Sequence, residues 1–227
     1  MNHWTRFKQF CFKRRFFFML LLLLLLLFMM PLHEHFPQLR YIFDLLVMVI
    51  FISGINAISA KRSHAVIGTI LTMLYIALTG ERYLANLIPE EILLVNMIGI
   101  IYMLFIIIII LRFIYNAQKV TMDILYGSIV VYLLIGVLFA LGYEILATMQ
   151  EGPFSIPAEL SDTLKTRTNY LYLYYSFVTL TTLGYGDISP NNIYGASLSM
   201  MEAIIGQIYL VVQVAWLVGM HVSRKSK

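Results

Sequence analysis

The 227 residues are 60% hydrophobic and only 12% charged, with a mean hydropathy of +0.83, a balance that excludes an ordinary soluble domain and places the chain in a membrane. A single cysteine, Cys11, excludes an internal disulfide, and no Cys/His spacing suggests a metal site, so no cofactor is expected and the chain is not read as an enzyme. The formal net charge of +4 does not point to nucleic acid, because the basic residues sit at the ends of apolar spans rather than on one soluble face.

Residues 1–15 form a basic N-terminus carrying Arg6, Lys8, Lys13, Arg14 and Arg15, and Phe16 to Met30 is apolar without a break. This has the look of a signal peptide, but Met29-Met30-Pro31-Leu32 offers no small-x-small cleavage site, so an uncleaved first span over 16–30 is expected, ended by Pro31. Further spans are expected over 41–60, 65–78 and 92–111, completing a four-span membrane domain over 16–121. A second domain, 122–222, opens and closes with spans over 122–148 and 194–222. Between them lie an irregular polar stretch containing Gly152, Pro153 and Pro157 and an apolar segment, 169–181, too short to span; it suits a re-entrant helix surrounded by protein at membrane depth. Residues 223–227 are a short tail in which no ligand-binding domain is expected. The expected fold is therefore an all-α membrane protein with six transmembrane helices and one re-entrant helix and loop between the fifth and the sixth.

Basic residues on alternate loops orient these spans. With the N-terminus inside, Arg6, Lys8, Lys13, Arg14, Arg15, Lys61, Arg62, Arg112, Lys119, Arg224, Lys225 and Lys227 are cytoplasmic, and only Arg40, Arg82, Lys165 and Arg167 lie outside. Both termini are expected in the cytoplasm, and the re-entrant loop enters from the outer face of a cell membrane, plasma or bacterial inner. Glu34, Glu81, Glu90, Glu91, Glu151, Glu159, Asp162 and Asp187 collect outside, where acidic charge raises local cation concentration.

The re-entrant helix runs into Thr181-Thr182-Leu183-Gly184-Tyr185-Gly186-Asp187. Two glycines flanking a tyrosine admit φ values that other residues avoid, so that consecutive carbonyls can turn toward one axis and replace the water shell of a cation. Gly, Asp, Pro and Asn are also turn formers, and Gly184 to Asn192 could be a plain connection between two helices. Turn chemistry, however, requires neither paired threonines nor a short helix ahead of the glycines. With helix before and span after, the T-x-G-Y-G-D string resembles the pore of the tetrameric potassium channels, over roughly the last hundred residues, with Leu183 where T-V-G-Y-G has valine.

The resemblance implies that Thr182 offers its hydroxyl and carbonyl at the inner end of a filter and that Leu183, Gly184, Tyr185 and Gly186 continue the carbonyl ladder outward. One loop per chain then requires a homotetramer, with K+ as the permeant ion and the only metal, and membrane lipid as the other partner. Asp187, Tyr174, Tyr175, Thr181 and Val178 would support the filter. Tyrosine hydroxyls at 174 and 175, where many family members carry Trp, can donate to Asp187, and the Leu183 side chain is expected to pack behind the filter. Gly206 matches a gating-hinge glycine midway along the inner helix, with close helix packing as the competing reading.

A voltage sensor of the kind found in six-span channels carries arginine at every third position of the fourth span. Glu91 to Asn116 contains Arg112 alone, so steep voltage gating is not expected. Asp44, Asn56, Asn96, Glu144 and Glu202 lie near membrane depth; Asp44 and Glu144 are expected to reach water, and Glu202 to bond Ser176 or Thr179. The leading function is a potassium-selective channel. A non-selective cation channel follows if Leu183 deforms the filter, a potassium-uptake transporter subunit is disfavoured by the single loop and lack of internal repeat, and an inactive scaffold is opposed by the intact filter string.

Overall fold

The computed structural model describes residues 15–29, 46, 49–50, 66–75, 77, 89–157 and 168–225. The expected span over 41–60 lies outside the described residues apart from Leu46, Val49 and Ile50, as do Asp44 and Asn56. In chain order the elements are α1 (Arg15–Met29), α2 (Val66–Tyr75), α3 (Pro89–Tyr115), α4 (Met122–Met149), β1 (Phe154–Ser155), α5 (Thr168–Leu180), β2 (Ser189–Pro190) and α6 (Ile193–Lys225).

Among the described residues three helices are long and apolar enough to cross a membrane: Ile92–Tyr115, Met122–Met149 and Ile193–Val222. The chain is a multi-pass, mostly helical membrane protein. At 1.5 Å per residue α1 covers about 22 Å, short of the roughly 30 Å hydrocarbon core, so its described part does not by itself cross.

The chain divides into two compact units, one made of Met1–Ala77, Phe105–Leu133 and Met220–Lys227, the other of Leu78–Leu104 and Leu134–Gly219. In the first, the N-terminus of α1 is held by the first turn of α4. The Phe16 amide, one of the donors that a helix start leaves unpaired, donates to Asp123 Oδ1 at 3.4 Å, and Arg15 Nε lies 3.7 Å from Asp123 Oδ2. The Arg15 guanidinium also sits over the rings of Phe16 (5.0 Å) and Phe113 (4.5 Å), which cover its charge with polarizable faces. Thr121 caps α4 itself, its Oγ1 accepting from the Ile124 amide at 3.4 Å.

The second unit holds the loop of interest. Here two glycines allow the helices to approach closely: a Cβ at Gly136 of α4 would lie 2.9 Å from the Phe177 ring of α5, and a Cβ at Gly206 of α6 would lie 2.7 Å from Leu180 Cδ1 and 3.0 Å from its carbonyl oxygen. An aromatic cluster of Tyr143, Phe154, Tyr172 and Tyr175 fills the space between α4, β1 and α5, with ring centroids 5.0–5.8 Å apart. The residues of α6 that are buried, Gly195, Glu202, Gly206 and Gln213, recur at steps of seven, four and seven, which keeps them on one face of the helix. That buried stripe is small and polar, whereas the large apolar residues Met201, Ile204, Ile208, Val211, Val214 and Val218 are exposed. An inverted helix of this sort needs apolar surroundings beyond its own chain.

Candidate functional site

The loop begins where α5 ends, and its first bonds define how. The Thr182 amide donates to the Thr179 carbonyl (3.0 Å) and the Leu183 amide to the Val178 carbonyl (3.0 Å), the paired bonds of a Schellman helix stop, with Gly184 N also reaching Val178 O at 3.2 Å. That motif puts its turning residue in the left-handed region, a place normally taken by glycine. Here it is Thr182, with φ +59°, the only non-glycine with positive φ among the described residues. A β-branched residue there carries roughly 1–3 kcal/mol of backbone strain. Part of it is offset locally: Thr182 Oγ1 donates to the Thr181 carbonyl and Thr181 Oγ1 to the Phe177 carbonyl, both at 2.6 Å.

From Thr182 the sign of φ alternates: positive at Thr182, negative at Leu183, +56° at Gly184, negative at Tyr185 and +78° at Gly186. In an ordinary strand successive carbonyls point to opposite sides. Alternation between right- and left-handed residues instead turns successive peptides the same way, placing amides along one side and carbonyls along the other. Residues 181–186 are all exposed within the single chain, Leu183 at 55% and Tyr185 at 66%. The Leu183 side chain, expected behind the loop, is thus left largely uncovered among the described residues.

The far end of the loop is fixed by side chains. Tyr174 Oη donates to Asp187 Oδ2 at 2.5 Å, and Asp187 Oδ1 accepts from the Ile188 amide at 2.9 Å. Beyond it β2 pairs antiparallel with β1, Phe154 opposite Pro190 and Ser155 opposite Ser189. The Asn191 amide donates to the Pro153 carbonyl at 2.8 Å. Asn192 then caps α6 by accepting from the Gly195 amide (2.8 Å), while its own amide group donates to Gln150 Oε1 (2.6 Å). The exit from α4 and the exit from the loop are therefore stapled together.

Behind the loop, Tyr175 does not join Tyr174 at Asp187. Consecutive helical residues point about 100° apart, and Tyr175 is turned to Ser199 of α6, Oη to Oγ 2.7 Å. Ser176, fully buried, contacts both Glu202 Oε1 and the Gly136 carbonyl, the latter at 2.7 Å. Tyr143 Oη donates to Glu202 Oε2 at 2.5 Å. Of the two hydroxyls considered for Glu202, Ser176 is the one that meets it. Val178 is buried and serves through its carbonyl oxygen, which accepts two loop amides.

Two other polar groups depart from or extend expectation. Glu144, expected to reach water, is instead buried at 6% exposed, near Tyr172 of α5. Asn96 of α3 is 3% exposed, and its Nδ2 has no hydrogen-bond partner among the described residues.

Comparison with known proteins places this geometry. A family model described as "Ion channel" matches residues 129–221, from the second turn of α4 through the loop to the end of α6. Over this stretch the chain is similar to an ion-channel pore domain. Neither a curated protein nor a solved structure matches the chain. The matched stretch takes in most of α4, the short helix α5, the loop after it and most of α6. Tyr143, Ser199 and Leu180, which meet Glu202, Tyr175 and Gly206, are not singled out by the sequence. Each is an ordinary residue for a buried helix face, and only its partner in space distinguishes it.

Tyr174→Phe removes the hydroxyl that, among the described residues, reaches Asp187. A hydrogen bond to a charged group contributes about 1.5–3 kcal/mol, less where solvent reaches it as here. The expected outcome is a lower thermal midpoint and reduced ion flux, read by melting and by tracer uptake in vesicles, with Tyr175→Phe leaving Asp187 untouched.

Proposed function

We propose that the chain is the subunit of a potassium-selective channel in which four copies bring the loop 182–187 to a common axis and conduct K+ passively. The observation that carries this is the alternation of φ from Thr182 to Gly186 on an exposed loop at the end of a short buried helix. Carbonyl oxygens aligned along one side form, in fourfold symmetry, a stack of uncharged rings around an ion. Neutral oxygens compensate the dehydration of a monovalent cation while letting it leave when a second arrives; carboxylates would hold it too tightly. The Thr182 hydroxyl, its carbonyl and those of Leu183, Gly184, Tyr185 and Gly186 are the proposed K+ ligands. Thr181, Asp187, Tyr174, Tyr175 and Val178 are the proposed braces.

Surface composition supports the assembly. Only 11% of the apolar stretch of α6 is buried within one chain, and the exposed Leu183 and Tyr185 side chains lack the backing that a filter needs. Neighbouring subunits supply both, in a closed ring with one loop from each. The orientation follows the positive-inside count, with both termini cytoplasmic and the loop opening outward. The full subunit has six spans in this reading. Gating is not steeply voltage-dependent: α3 has one basic residue, Arg112, in its last turn, while steep gating needs several charges per subunit at about 2.3 kcal/mol per charge per 100 mV.

The exposed bulk of Leu183 favours one rival, a pore that passes cations without discrimination. Uptake of K+, Rb+ and Na+ into vesicles holding the purified protein separates the two. Uptake of K+ and Rb+ with Na+ largely excluded is expected, and equal uptake of all three would give the case to the rival.

A further inference from the structure

Glu202 lies a third of the way along a helix long and apolar enough to cross a membrane, fully buried, with Tyr143 of α4 on one oxygen and Ser176 of α5 on the other. It makes no ion pair among the described residues. A buried carboxylate without a cation is strongly disfavoured, and a count of protons sharpens the point. Ser176 Oγ has one proton and two oxygen neighbours, Glu202 Oε1 and the Gly136 carbonyl. The peptide carbonyl can only accept. If Glu202 were ionised, it too could only accept, and one of the two contacts would set oxygen against oxygen with no hydrogen between. Both contacts are satisfied together only if Ser176 donates to Gly136 and Glu202 donates to Ser176. Tyr143 then donates to the remaining Glu202 oxygen, and the circuit closes with every proton placed.

We propose that Glu202 is held as a neutral carboxylic acid, and that its proton completes a hydrogen-bond circuit through which α6 fixes the position of α5 behind the filter loop. The circuit joins three elements at one point: Gly136 and Tyr143 on the outer helix, Ser176 on the re-entrant helix and Glu202 on the inner helix. Ser176 is about one turn before Leu180, the last residue of α5, so a displacement at Ser176 is carried along a rigid helix to Thr182. Glu202 is thus a positioning residue, acting on the ion path through α5 rather than by touching the ion. Its effect on conduction rests on the potassium-channel reading, whereas its protonation does not.

The test uses the full chain in lipid vesicles. The infrared difference spectrum of wild type minus Glu202→Gln at neutral pH is expected to contain a carbonyl band of a protonated carboxylic acid. Tyr143→Phe, which removes one donor and keeps the acid, is expected to shift that band without abolishing it. A difference spectrum holding only ionised-carboxylate bands overturns the proposal, as does a band that Tyr143→Phe leaves in place. For flux, Glu202→Gln keeps a donor and an acceptor without charge and is expected to retain wild-type Rb+ uptake. Glu202→Asp, too short to reach both partners, and Ser176→Ala are expected to lose about tenfold or more, the scale of leaving a buried polar group unpaired. A loss in Glu202→Gln as large as that in Glu202→Asp would show that an uncharged isostere cannot replace the side chain and would sink the neutral acid. Should wild type itself pass no Rb+, the channel reading fails while the infrared bands still decide the protonation.

Discussion

Gly184→Ala is expected to abolish potassium flux while leaving the protein folded and inserted. The position has φ +56°, and a Cβ built there meets nothing within 4 Å among the described residues. Overlap within the subunit therefore contributes nothing, and the cost is conformational. An L-residue in the left-handed region is disfavoured by roughly 1–2 kcal/mol, a burden repeated in each of four copies if the loops form one ring. The chain escapes by rotating the peptides on either side of residue 184, which turns a carbonyl off the shared side. Because the fault lies in backbone handedness, D-alanine introduced at 184 by peptide ligation is expected to conduct where L-alanine does not. Melting temperature is expected to change little in either variant. Equal flux from the L-alanine variant and wild type would show that the sign of φ at 184 is unimportant for conduction.

Gly206→Ala is expected to fail for a different reason. The new methyl would lie 2.7 Å from Leu180 Cδ1 and 3.0 Å from the Leu180 carbonyl oxygen. The leucine tip can rotate away; the carbonyl belongs to the last turn of α5 and cannot move without moving the loop. Overpacking of this kind costs about 1–3 kcal/mol, against about 1 kcal/mol of helix propensity gained on replacing glycine. The net effect expected is a modest fall in thermal stability together with a loss of ion selectivity, because the end of α5 is pushed outward. Leu180→Ala combined with Gly206→Ala relieves only the side-chain part and is expected to restore selectivity incompletely. The hinge reading of Gly206 makes another forecast, an altered fraction of time open with selectivity and stability intact. Single-channel records of the Gly206→Ala protein distinguish the two, and the geometry at Leu180 favours packing.

The comparison between sequence and structure is uneven for physical reasons. The three long helices were legible because uninterrupted apolar runs of their length have few other uses, and the turn at Gly184 and Gly186 because glycine marks positive φ. Thr182 was not legible as a left-handed residue. Propensity argues against a β-branched residue there, and the fold imposes it through the bonds of Thr182 and Leu183 back to α5. The contact of Glu202 with Tyr143 spans 59 residues and leaves no periodic trace; only the cost of a carboxyl group at membrane depth hinted at partners. The β1–β2 pair is two residues long, below any alternation a strand could display. α6 misleads in the opposite sense, since its large apolar residues suggest a buried face while the chain buries Gly195, Glu202, Gly206 and Gln213 instead. That apolar face is left exposed among the described residues.

The most direct measurement is the scattering of Rb+ in the assembled protein. Crystals grown in lipid with rubidium, measured at its absorption edge, are expected to show ions on a fourfold axis, spaced between rings formed by the carbonyls of Thr182, Leu183, Gly184, Tyr185 and Gly186. Four loops that do not meet, or a common axis with no rubidium at those levels, would contradict the account.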